Sequence, residues 1–165
     1  RDVALLRGKG RAHVAVGSRA LAGGDGVAAP AAAGERYVTV LYVEGRLRAF
    51  DAICYHAGGP LGLGDIEEAG EGGRACVRCP WHHYLVDLET GEKWYQALES
   101  DASGKLVPAG WKSSGKAVQR VHEVEERKDG IFLRVQLEGT CESDRWAHRE
   151  DCFRSLQGQA DQHAG

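Results

Sequence analysis

Two short stretches hold the side chains best suited to bind a metal. CYHAGGPLGLGD, residues 54–65, places Cys54 and His56 one residue apart and then enters a Gly-Gly-Pro turn. Further on, CPWH places Cys79 and His82 at C-x-x-H spacing. Each stretch offers one thiolate and one imidazole. Gly58, Gly59 and Pro60 let the first loop turn tightly, and Pro80 stiffens the second. Two such loops can converge at the tip of a β-structure and share one centre.

Two centres compete for this donor set. Zinc accepts two Cys and two His tetrahedrally. A [2Fe–2S] cluster accepts two Cys on one iron and two His on the other. Zinc motifs usually pair Cys with Cys and His with His at short spacing. Here each loop carries one of each, as a cluster requires when each loop reaches both irons. The mixed pairing favours the two-iron centre and leaves zinc as the alternative.

The longer motifs CYHAGGPLGLGDI and CPWHHYLVDLETGE resemble the two cluster-binding loops of soluble Rieske-type ferredoxins. The similarity continues through TGEKWYQ and QRVHEVEERKDGIFLRV. The resemblance implies an all-β fold, a sandwich or barrel base carrying a small cluster-binding subdomain. It also implies that Cys54, His56, Cys79 and His82 bind one Rieske-type [2Fe–2S] cluster. The gap between the loops is longer than is common in the family. The polar stretch at 67–75, EEAGEGGRA, is expected to absorb the difference by bulging out as a Gly-rich loop.

Formal charge explains what histidine ligands change. Two ferric ions, two sulfides and two thiolates sum to zero with neutral imidazoles, whereas an all-cysteine cluster is already anionic before reduction. Potentials accordingly run from about −150 to +300 mV, against about −400 mV for plant-type ferredoxins. High-potential members of the family have a disulfide between the loops and hydroxyl donors after the second His. The matching disulfide positions here are Gly58 or Gly59 and Trp81, no Ser follows His82, and Tyr84 is not at the donor spacing. The expected potential is therefore at the low end. The exposed His56 and His82 edges are the expected electron exit.

The resemblance further implies a one-electron carrier, not an enzyme. Its redox partners would be an NAD(P)H-dependent flavin reductase as donor and an oxygenase, hydroxylase or desaturase as acceptor. A small subunit of a nitrite-reductase-type enzyme and a zinc-stabilised interaction module are the rival readings. Catalysis as an oxygenase is rejected, because that needs a separate mononuclear iron domain and residues 83–165 are largely used by the fold.

Other candidate groups have plainer readings. Cys76 is expected to be a buried strand thiol, although it completes C-x-x-C with Cys79. His83 is read as a solvated loop residue and Trp81 as a hydrophobic shield for the centre. Trp94 and Trp111 are read as packing groups, and His13 and His122 as structural or surface residues. Cys141 and Cys152 are expected as free thiols.

The elements that must position these loops are short strands between Gly-rich turns. His13–Val16, Tyr37–Val43, Arg46–Ile53, Leu85–Leu88, Arg120–Arg127 and Ile131–Leu137 read as strands. Ile131, Leu133, Val135 and Leu137 alternate with Phe132, Arg134 and Gln136, so one face is buried. Residues 18–35, rich in Ala and Gly, read as a loop insertion, and residues 100–117 as turn-rich and irregular. The Rieske domain is placed at 1–137, with cluster-binding loops at 54–64 and 79–84. In the tail, 138–165, Ser143 is expected to cap a helix with Trp146, Phe153 and Leu156 on one side, packing on the sheet and doing nothing else.

The chain has 165 residues, 42% hydrophobic and 27% charged, ordinary for one globular domain with its own core. A net charge of −3 argues against nucleic-acid binding. No stretch approaches the roughly 18 apolar residues of a membrane span, and the N-terminus lacks a signal-peptide core. Five cysteines are too few for a disulfide scaffold and favour a reducing compartment. The expected setting is intracellular, the cytoplasm first. The sequence contains no Met. A removed leader would account for that and would allow an organelle instead.

Overall fold

Tyr37 to Val43 is a run of β-branched and aromatic residues interrupted only by one Leu, the composition of a strand covered on both faces. In the computed structural model, which describes residues 10–17 and 35–162, it forms an inner strand, second in order, of a five-stranded sheet. That first sheet has the order β1 (Arg11–Val16), β2 (Arg36–Val43), β3 (Arg46–Asp51), β9 (Val121–Arg127) and β10 (Gly130–Arg134). The second contains β4 (Asp65–Ala69), β5 (Arg74–Arg78), β6 (Leu85–Asp87), β7 (Glu92–Ser100) and β8 (Leu106–Ala117), in chain order. All neighbours are antiparallel. Among the described residues no helix is long and apolar enough to cross a membrane.

Local sequence explains the junctions. Glu44 and Gly45 both have positive φ, 51° and 74°, as the tight turn between two strands of right-handed twist requires. The central core contains Leu41 and Phe50 of the first sheet, and Val77 and Val86 of the second. Cys54 and Cys79 belong to this same cluster, so the two sheets place both thiols in the core. On the outer face of the first sheet, Ile131 and Leu133 pack against Val38 and Val40, while Phe132 is exposed. The expected alternation is therefore present, but β10 ends at Arg134, short of Leu137.

Three expectations are corrected. Residues 106–117 are not irregular but form the long edge strand β8. Pro108 is tolerated there because an edge strand leaves one row of N–H groups unpaired, and register shifts against β7 leave the extra residues on β8. The polar stretch 67–75 is not a bulging loop. Glu67 to Ala69 pair with Arg74 to Cys76 in a hairpin, with Ala69 buried and Arg78 in an ion pair with Glu67. Ser143 does not cap an α-helix. It lies in a 3-10 turn, Glu142–Arg145, capped at Cys141, whose N–H donates to the Asp144 carboxylate at 2.9 Å. The α-helix, α1, begins later and spans Glu150–Gln162. Trp146 therefore precedes α1, yet it still joins Phe153 and Leu156 in a cluster with Tyr37, Ala52 and Ile53. The rings of Phe153 and Tyr37 stack at 4.0 Å. The Ala/Gly-rich segment read as a loop lies, apart from Glu35, outside the described residues.

Candidate metal centre

The first Cys-His loop leaves β3 of the first sheet and enters β4 of the second, and the second loop connects β5 to β6. Backbone hydrogen bonds fold each loop on itself. Cys54 N–H donates to Gly59 O at 2.8 Å, and Gly58 N–H returns to Cys54 O at 3.0 Å. Cys79 N–H donates to Tyr84 O, and His83 N–H to Cys79 O, both at 2.9 Å. His83 takes φ +59°, an uncommon non-glycine conformation that closes this tight turn.

The four donors meet as two pairs. The Cys54 thiol hydrogen-bonds the Cys79 sulfur. The imidazoles of His56 and His82 stand edge to face with centroids 4.8 Å apart. Both cysteines are 1% exposed, while both histidines are exposed at the surface. Among the described residues no three Cys, His, Asp or Glu side chains converge as ligands of a single ion.

Electrostatics treats the two thiols differently, and only Cys79 is shifted toward the thiolate. The bond between them holds Cys54 protonated, with burial adding to the effect. The same bond lowers Cys79, against burial. Backbone N–H groups of His56 and Ala57 face Cys54 sulfur, and those of Trp81 and His82 face Cys79 sulfur. Oriented amides stabilise negative charge on sulfur before any metal arrives.

Several supporting residues carry no sequence signal of their own. Gln119 is fully buried between β8 and β9. Its amide donates to Asp51 O and Ile53 O, both at 2.8 Å, and its carbonyl accepts Tyr55 N–H at 2.9 Å. One side chain thus grips the backbone on both sides of Cys54. Only a glutamine between two strands was visible, and a polar residue there reads as a turn. Arg149, in the tail, reaches both loops. The tail therefore does more than pack on the sheet.

The remaining candidates fall as expected or nearly so. Cys76 is a fully buried strand thiol whose pKa burial pushes up to about 12. His83 is exposed, and all five cysteines are free. Trp94 and Trp111 pack on the Ala69–Cys76 cluster. His122 donates to Asp51, and His13 pairs with Thr39. Trp81 remains 47% exposed, so it shields the centre from one side only.

Two packed antiparallel sheets with paired Cys-His loops between them define a small redox-metal domain of Rieske type. Residues 26–137 match the model of the soluble Rieske-type ferredoxin family, and the chain belongs to that family. It is also 42% identical over 115 residues to a human Rieske domain-containing protein, covering 68% of this chain and 69% of the relative. Membership implies a Rieske-domain electron carrier with a [2Fe–2S] cluster.

Proposed function

We propose that this protein carries single electrons from a flavin-containing reductase to an oxygenase- or hydroxylase-type acceptor. Cys54 and Cys79 hold one iron of a Rieske-type [2Fe–2S] cluster, and His56 and His82 hold the other. The observation that carries the assignment is the split in burial: two thiols paired in the core beside two imidazoles at the surface. When bound, the cluster supplies reversible one-electron storage. The protein's own groups do the rest. Leu61, Val77 and Val86 keep water from the thiols. The amides of residues 56, 57, 81 and 82 stabilise charge on sulfur. Each ligating imidazole keeps one ring N–H, and the exposed His56 and His82 offer theirs to a docking redox protein.

Purified protein is expected to be brown and to contain iron and acid-labile sulfide in equal amounts. The reduced sample should give the EPR signature of a histidine-ligated cluster. Reduction by an NAD(P)H-dependent flavoprotein should be rapid in stopped flow, and a pull-down with reduced protein should recover the acceptor. A colourless protein holding one zinc and no sulfide refutes the reading.

A further inference from the structure

In the C-terminal segment, Arg149 is the side chain that reaches both cluster-binding loops, and it lies outside the residues that match the family. Its guanidinium has three engagements. Nε and Nη2 each donate to the Asp151 carboxylate at 2.9 Å, which fixes the plane of the group. Nη1 donates to Gly58 O at 3.1 Å, with Ala57 O at 3.5 Å, both in the first loop. The guanidinium also lies over Trp81 of the second loop, 5.5 Å from the ring centroid. The space is fully used. A Cβ added at Gly59 would sit 2.9 Å from the Trp81 indole, and one at Gly58 would sit 2.7 Å from Trp146.

Both contact points are tied to a cysteine, one through its backbone and one through its sulfur. Gly58 N–H donates to Cys54 O, and Trp81 N–H faces Cys79 sulfur. Holding Gly58 against Trp81 therefore holds Cys54 against Cys79. We propose that Arg149 is a positioning residue that fastens the two cluster-binding loops to each other and to α1, a non-covalent bridge at the positions where a disulfide would otherwise join them. The inference rests on the cluster reading above. It requires arginine in particular. A planar fork can meet a carboxylate, a carbonyl and a ring face at once, and an ammonium cannot.

The test compares wild-type, Arg149→Ala, Arg149→Lys and Asp151→Asn holoproteins. It measures bleaching of the cluster absorbance by an iron chelator and amide hydrogen exchange resolved along the chain. Arg149→Ala should bleach several-fold faster, with faster exchange at 56–60 and 80–83 and unchanged exchange in β2 and β3. Arg149→Lys should restore little of the loss, and Asp151→Asn should fall between. Bleaching and loop exchange at the wild-type rate in Arg149→Ala overturn the proposal. So does full rescue by Lys, which would make charge alone sufficient, and so does equal loosening of β2 and β3, which would mean general destabilisation. If wild-type protein holds no iron and sulfide, the cluster reading fails, and the exchange comparison on the apo chain still decides whether Arg149 fastens the loops.

Discussion

Cys54 and Cys79 sit among Leu61, Val77 and Val86 in the core, whereas His56 and His82 face solvent. Substitutions should separate these roles. His56→Ala is expected to abolish the cluster yet change the stability of the apo chain by no more than about 0.5 kcal/mol, as for other surface changes. Cys79→Ser should abolish the cluster and also destabilise the apo chain by about 1–3 kcal/mol, because it puts a hydroxyl where a weakly polar thiol was buried. Iron and sulfide analysis with thermal unfolding of apo samples checks both. A second residue-scale expectation concerns His13, whose pKa is lowered to about 4 by burial and, secondarily, by Arg11. Its folded value lies below the unfolded one near 6.5. The stabilisation is therefore complete above about pH 6.5 and is lost as pH falls toward 4. The full effect is at most about 3 kcal/mol. A Gln at this position, following pH-dependent denaturant midpoints, should flatten that limb of the profile. The candidate ligands were legible from type and spacing alone, since few other roles place Cys and His together in two Gly/Pro-rich loops. Their supports were not legible, because Gln119 and Arg149 act through contacts 64 and 91 residues away in sequence.

At the scale of elements, Asp51 connects what the chain separates. It is fully buried at the end of β3. It accepts from Arg36 on β2 at 2.7 and 2.8 Å, His122 on β9 at 3.0 Å and Ser143 of the 3-10 turn at 2.6 Å. Burial raises its pKa, but the bonds from His122 and Arg36 outweigh that and hold it below the usual carboxylate value. Its contribution is therefore present above the unfolded carboxylate pKa of about 4 and is lost as pH falls through the folded value. Asp51→Asn is expected to cost about 3 kcal/mol or more, because the Arg36 charge stays buried with one partner fewer. Chemical denaturation at neutral pH measures this, and a cost under about 1 kcal/mol would contradict a buried hub. The strands that Asp51 joins were readable because their apolar residues run or alternate with the strand period. β8 was not, since Pro108, Gly110 and Gly115 look like breakers and its partly covered residues include Ser113 and Ser114. Only pairing with β7 makes it a strand. The start of α1 was misplaced for a related reason. Ser143 has the residue type of a cap, but its hydroxyl is taken by Asp51 and Arg120 N–H.

For the molecule as a whole, the two sheets and the tail together set the surroundings that govern the potential. The loops come from different parts of the second sheet and its junction with the first, and no covalent bridge joins them, since all five cysteines are free. The donors aimed at sulfur are the backbone amides of residues 56, 57, 81 and 82. Tyr84, two residues after His82, turns its ring to His56 with centroids 4.7 Å apart. A site with neutral imidazoles but few hydroxyl donors stabilises the added electron less than a bridged, hydroxyl-rich one. The chain's net charge of −3 also does nothing to favour reduction. The midpoint should therefore lie within about 100 mV of −150 mV, the low end of the Rieske range. An EPR-monitored redox titration decides the matter, and a value above about +100 mV would show that donors other than these amides control the centre. Replacing His82 by Cys should lower the midpoint further in any variant that retains its cluster. It exchanges a neutral donor for an anionic one at a surface position and leaves the two core thiols that anchor the site in place.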